Sequence, residues 1–170
     1  MPEVNEEIVE QYLKVVKKWF YISDIPFKVP HNYSNIDLLA FNPLSRKYYD
    51  FEVKYRSAFS LTNNGKDIEY LSDQFTKYFS ERAKKLSEFI GDRKSTKVIV
   101  TTHKMMGTSI SKRKQMEKDF SRIMTNYGFL SEVWYFDEMI PQLVDHVEIK
   151  GRYNTQLLQT IRMLRAYSAT

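Results

Sequence analysis

Asn35-Ile36-Asp37-Leu38-Leu39-Ala40-Phe41 and Tyr48-Tyr49-Asp50-Phe51-Glu52-Val53-Lys54-Tyr55 decide how this chain folds. Both segments are rich in aliphatic and aromatic residues, and Asn42-Pro43-Leu44-Ser45-Arg46-Lys47 between them supplies turn chemistry. The pattern predicts a β-hairpin. Side chains alternate faces along a strand, so Glu52 and Lys54 project to one face while Val53 and Tyr55 project to the other. With Asp37 on the partner strand, two acids and a lysine can converge.

Outward from the hairpin, the sequence predicts a helix from about Glu3 to Phe20 and a short strand near Phe27-Lys28-Val29. Residues 57–66 read as a polar loop. Asp67 to Ile90 has helical periodicity through Ile68, Leu71, Phe75, Tyr78, Phe79, Leu86 and Phe89, and stops at Gly91. Lys97–Thr102 reads as a buried strand, Ser109–Tyr127 as a long helix ending at Gly128, and Ser131–Phe136 as another strand, after which Asp137 opens a short helical or turn segment. A last helix from about Asn154 to Tyr167 carries Leu157, Leu158, Ile161, Leu164 and Tyr167, a face fit either for a homodimer interface or for capping the core. The expected class is α/β, a central mixed sheet flanked by helices.

A chain of 170 residues with 42% hydrophobic content suits one domain over residues 1–170. Zero cysteines exclude disulfides, thiolate zinc sites and cysteine nucleophiles, and His31, His103 and His146 lack metal-ligand spacing. There is no apolar run of membrane-spanning length, and the start of the chain is acidic, unlike a signal peptide. The expectation is a cytoplasmic protein with no membrane contact. Neither a Gly-rich phosphate loop nor a Gly-x-Ser-x-Gly elbow is present, which speaks against an NTPase and an α/β-hydrolase.

Asp37 and Glu52 meet the needs of a hard divalent cation, Mg2+ or Mn2+, which binds through one or two carboxylates and keeps several waters. Lys54 would then orient a nucleophile or neutralise developing charge. A net charge of +5 suits a polyanionic partner. Lys112-Arg113-Lys114, with Lys104 and Lys118 nearby, forms a basic stretch beside Gly107-Thr108-Ser109, which reads either as a phosphate-gripping helix start or as a solvated face. Arg56 and the loop Asn63-Asn64-Gly65-Lys66 are placed to approach a backbone phosphate.

Asp37 followed by Glu52-Val53-Lys54 resembles the PD-(D/E)xK nuclease superfamily, the restriction-endonuclease-like fold, with Ile36 where the strict motif has Pro. Gln74-Phe75-Thr76-Lys77-Tyr78 has the Gln-x-x-x-Tyr form of the RecB-like or Holliday-junction-resolvase-like branches. The resemblance implies an αβββαβ core over roughly residues 3–136, with catalytic Asp37, Glu52 and Lys54. It also implies a metal shell of Asp37, Glu52 and the Val53 carbonyl, with Glu6 as an optional outer acid. Gln74 and Tyr78 would contact nucleic acid. The implied activity is a metal-dependent deoxyribonuclease, DNA being favoured over RNA. The alternative is a non-catalytic nucleic-acid-binding or assembly subunit on the same fold.

Overall fold

The computed structural model describes residues 3–54, 67–147 and 155–168, the side chains of 67–72 and 168 aside. Five strands run in sequential order across one sheet: β1 (Phe20–Val29), β2 (Asn32–Asn42), β3 (Lys47–Val53), β4 (Ser95–Thr101) and β5 (Ser131–Tyr135). The first three form an antiparallel meander, and β4 and β5 join it in parallel. Parallel neighbours need long crossovers. Helices α2 (Asp67–Glu81) and α3 (Ala83–Ile90) supply the one into β4, and α4 (His103–Met106) and α5 (Ile110–Asn126) the one into β5; α1 (Val4–Gln11) precedes the sheet, and α6 (Phe136–His146) and α7 (Gln156–Ser168) follow it. The result is a mixed α/β fold in which helices flank a five-stranded open sheet.

The β2–β3 turn forms because Asn42 Oδ1 accepts from the amides of Leu44 (3.0 Å) and Ser45 (3.3 Å), while Arg46 takes a left-handed φ of 55°. Its register pairs Leu38 with Phe51. One step further along sets Asp37 against Glu52. One sheet face buries Leu38, Tyr49, Phe51, Val98 and Val100 against Val9 and Leu13 of the amino-terminal helical segment and Phe136 and Met139 of α6. On the opposite side, Leu39 packs with Leu86 and Ile90, and Ile99 packs with Phe75, Phe79, Phe120 and Met124.

Three boundaries differ from the sequence expectation. The first helix does not reach Phe20: α1 passes into a π-helical stretch over Tyr12–Lys17, Lys18 turns left-handed (φ 57°), and Phe20 begins β1 with 70% of its surface exposed. Val9, Leu13 and Val16 meet the core, and Trp19, beyond the end of the helical stretch, stacks on Tyr49 (4.6 Å between ring centroids). The expected short strand at Phe27–Val29 is the end of a ten-residue β1. The long helix over Asp67–Ile90 is interrupted at Arg82, whose side chain is buried against the sheet.

In α7, Leu158 and Ile161 pack with Val15, Leu143 and Val147, while Met163, Leu164 and Tyr167 remain exposed. Among the described residues no helix is long and apolar enough to cross a membrane.

Candidate acid–base site

Strand alternation puts Asp50 and Glu52 on the face of β3 opposite Tyr49, Phe51 and Val53, beneath the helices of the β3–β4 crossover. Two cations from later in the chain meet them there. Arg82, 1% exposed, reaches Asp50 Oδ1 through Nη2 at 2.7 Å and Glu52 Oε2 through Nη1 at 2.5 Å. Its Nε donates to Asp50 Oδ2 at 3.3 Å and its Nη2 to the Phe51 carbonyl at 3.2 Å. The planar fork of a guanidinium satisfies these acceptors at once, which a lysine could not do. Lys97 Nζ donates to Asp50 Oδ2 at 2.8 Å.

At the carboxyl end of β3 the same network opens toward solvent. Glu52 Oε1 lies 2.6 Å from Lys54 Nζ, and that ammonium sits 5.5 Å from the centroid of the Tyr78 ring. Asp37 Oδ2 accepts from the Val53 amide at 2.6 Å. Burial, and then the neighbouring Glu52 charge, push the Asp37 carboxyl up to about 7, against the opposing pull of the Val53 amide, Lys54 and Arg82. Burial alone would lower the Lys54 ammonium, but Glu52, with Asp37 and Tyr78, outweighs it and holds Lys54 above its ordinary value.

A carboxyl that titrates near neutrality, beside a partly exposed ammonium, can accept a proton from a hydroxyl and face developing negative charge. The fold thus brings together Asp37, Glu52, Val53, Lys54 and Tyr78, all anticipated from the sequence. Gln74 lies one turn before Tyr78 on α2, half-buried. Glu6 is elsewhere: it accepts from the Glu3 amide at 3.3 Å in a capping box of α1. Burial raises its pKa, and the charges acting on it are Asp24, Glu3 and Glu10. Arg56, Tyr55 and the Asn63–Lys66 loop lie outside the described residues.

Lys112, Arg113 and Lys114 open α5, where Ser109 Oγ accepts from the Lys112 amide at 3.2 Å and Arg113 Nη1 donates to the Gly107 carbonyl at 3.2 Å. Gly107 has φ 153°, and a Cβ there would meet the Arg113 nitrogen at 3.0 Å. Helix capping and close backbone packing therefore account for the Gly107-Thr108-Ser109 stretch. His103 is bound to acids of its own: its amide donates to Asp137 Oδ2 at 2.8 Å and its Nε2 lies 3.1 Å from Glu138 Oε1.

Asp50, Arg82 and Lys97 were not singled out by sequence reasoning. A signal existed for the first two. Asp50 interrupts an aromatic strand at the parity of Glu52, and Arg82 continues the apolar stripe Phe75, Phe79, Leu86 at helical spacing. Among the described residues no group of three or more His, Cys, Asp or Glu side chains gathers as a metal cluster.

A family model described as monogalactosyldiacylglycerol (MGDG) synthase matches residues 31–156, most of the chain. No curated protein matches it. A solved structure described as the crystal structure of a protein of unknown function, AF1548, is similar at 15% identity and a TM-score of 0.43, covering 94% of this chain and 77% of that one. A likeness at that level does not identify a fold.

The family match overturns the nuclease reading. Membership of the PD-(D/E)xK superfamily, deoxyribonuclease activity and the restriction-endonuclease and DNA-binding assignments drawn from it are corrected, because the matched family is named for making a galactolipid. Nor does the match support a non-catalytic nucleic-acid-binding subunit. The motif misled for a physical reason: an acid followed by Glu-x-Lys is short, and here Glu52 and Lys54 are also members of a buried ion-pair network.

Proposed function

This chain belongs to the monogalactosyldiacylglycerol (MGDG) synthase family, and we propose that it serves a galactosyl transfer of that kind, with Asp37 as proton acceptor. The acceptor would be the free hydroxyl of diacylglycerol. Its oxygen forms the new bond to the anomeric carbon as the bond from that carbon to the leaving group breaks, the leaving group takes the electron pair, and the hydroxyl proton passes to Asp37. Lys54 faces the negative charge that develops. Glu52 and Arg82 hold Lys54 and the β3 end in place rather than reacting.

The observation that carries this reading is that the matched segment contains Asp37, Glu52, Lys54 and Arg82, the residues that meet at the open end of the network. The sequence expectation of no membrane contact sits uneasily with a lipid acceptor, which need only be presented at a surface.

Mg2+ or Mn2+ belongs to the same proposal. Asp37 would hold it, with Glu52 as a second ligand only where Oε1 gives up its 2.6 Å pair with Lys54, since Oε2 is held by Arg82. When bound, such an ion supplies charge neutralisation at the leaving group. The restriction-endonuclease-like version of the topology is proposed for the fold alone, supported by the helix, three-strand, helix, strand, helix, strand order; a shared fold does not carry an activity.

The test is incorporation of labelled galactose from nucleoside-diphosphate donors into diacylglycerol, comparing the wild-type protein with Asp37→Asn. The expected result is galactolipid formation that falls about 10²-fold or more in the variant. Absence of galactolipid with every donor, or an unimpaired variant, would overturn the reading.

A further inference from the structure

At the other end of the ion-pair network, away from Asp37, a cavity of about 380 Å³ lies among α3, the start of β4 and the α5–β5 connection. Leu86, Ile90 and Phe129 give it apolar walls, and the exposed Arg93 and Lys94 stand at its edge. The one deeply buried charge that lines it is Lys97, 5% exposed.

An ammonium carries three donors. Lys97 gives one to Asp50 Oδ2 at 2.8 Å and one to Ser95 Oγ at 3.0 Å, which leaves the third without an acceptor among the described residues. Its stem and head run past two rings, with Nζ 5.4 Å from the Phe79 centroid and 5.6 Å from that of Phe129. Asp50 does not neutralise Lys97 alone, because it also serves Arg82. Arg82 has Glu52 as a second counter-charge, whereas Lys97 has only its share of Asp50, so next to the cavity the Lys97 ammonium is the less fully paired of the two cations.

We propose that this cavity is a binding site for a small amphiphilic carboxylate, whose head accepts from Lys97 and whose hydrocarbon body lies against Leu86, Ile90 and Phe129. The size is that of a small-molecule site, which typically combines apolar walls with few polar groups. A buried cation lacking a full set of acceptors gains most from an anionic ligand. Consistent with this, burial lowers the Lys97 pKa, and only Asp50 opposes it while Arg82 adds to it. The carboxylate is preferred to a phosphate because the walls are apolar and the second negative charge would have no buried partner. The assignment does not depend on what Asp37 does.

The experiment is titration of the wild-type protein with octanoate and separately with inorganic phosphate, followed by amide NMR shifts of Gly91 and Gly128, which line the cavity. Two variants accompany it: Lys97→Met, which keeps the stem and removes the charge, and Ser87→Trp, which fills the cavity from an exposed helix position and leaves the buried network intact. Saturable octanoate binding that shifts both glycines, weakened at least tenfold in each variant that folds, is the expected result. No saturable octanoate binding, octanoate binding unchanged in Ser87→Trp, or binding of phosphate without octanoate would overturn the proposal.

Discussion

Arg82 Nη1 lies 2.5 Å from Glu52 Oε2, joining a helix of the first crossover to the strand that carries the candidate site. The same guanidinium is the main counter-charge of Asp50, which is fully buried. Removing it leaves buried Asp50 with Lys97 alone and Glu52 with Lys54 alone, each one charge-assisted partner short. Arg82→Met should cost about 3–5 kcal/mol, the range for breaking a buried pair by deleting one partner. Arg82→Lys should recover little of this, since one ammonium cannot span Asp50, Glu52 and the Phe51 carbonyl. Urea unfolding of both variants checks it; a loss below about 1 kcal/mol in Arg82→Met would refute the account.

Asp37 makes an opposite prediction. Its folded pKa of about 7 stands above the ordinary carboxyl value of 3.8, so between those values the folded protein keeps a proton that the unfolded chain has released. Stability must therefore fall as pH rises through this window, with the whole cost present above it. Asp37→Asn cannot ionise, and its amide oxygen can still accept from Val53. It should be more stable than wild type by about 2–4 kcal/mol at pH near 8 and equal to it near pH 4. Denaturant midpoints at the two pH values decide the matter.

The same titration shapes the proposed reaction. A proton acceptor must be ionised, so kcat/KM without added metal should rise about tenfold per unit on the acid side and level off above the Asp37 value of about 7. A flat profile between pH 5 and 8, at rates well above background, would remove Asp37 from the proton-transfer step.

Lys18 closes the amino-terminal helical segment in the left-handed region at φ 57°. A residue with a Cβ pays about 1–2 kcal/mol there, while glycine loses somewhat more chain entropy on folding. Lys18→Gly should accordingly stabilise the protein by a few tenths to about 1 kcal/mol in thermal or denaturant unfolding. Lys18→Val, β-branched and intolerant of that conformation, should destabilise it.

Much of the architecture was legible in local pattern. The Asp37 and Glu52 strands, the turn at Asn42, the strand before Thr102 and the helix capped by Ser109 all depend on short-range periodicity and turn chemistry, and they stand where the sequence placed them. The amino-terminal helix was overrun because apolar spacing continues through Phe20, and nothing local announces that Lys18 turns left-handed. Half of the site was equally readable, since Asp37, Glu52, Val53 and Lys54 share one hairpin. The other half, Arg82 and Lys97, depends on tertiary approach across 30 and 47 residues of chain. Identity was the weakest inference, because a three-residue motif carries less information than the segment of chain that contains it.

The charged face of the antiparallel meander has a consequence for assembly of the chain. Strands β1 to β3 are neighbours in sequence and can pair early by local contacts, yet β3 presents Asp50 and Glu52 on the side that α2 and α3 must cover. Those carboxylates can be desolvated only once Arg82 and Lys97 arrive. The meander on its own is therefore held in a hydrated, open condition, and closure of its second face waits for the first crossover. Nucleation and final desolvation become separate events, with the ion-pair network acting as the latch that makes the strands and the crossover a single cooperative unit.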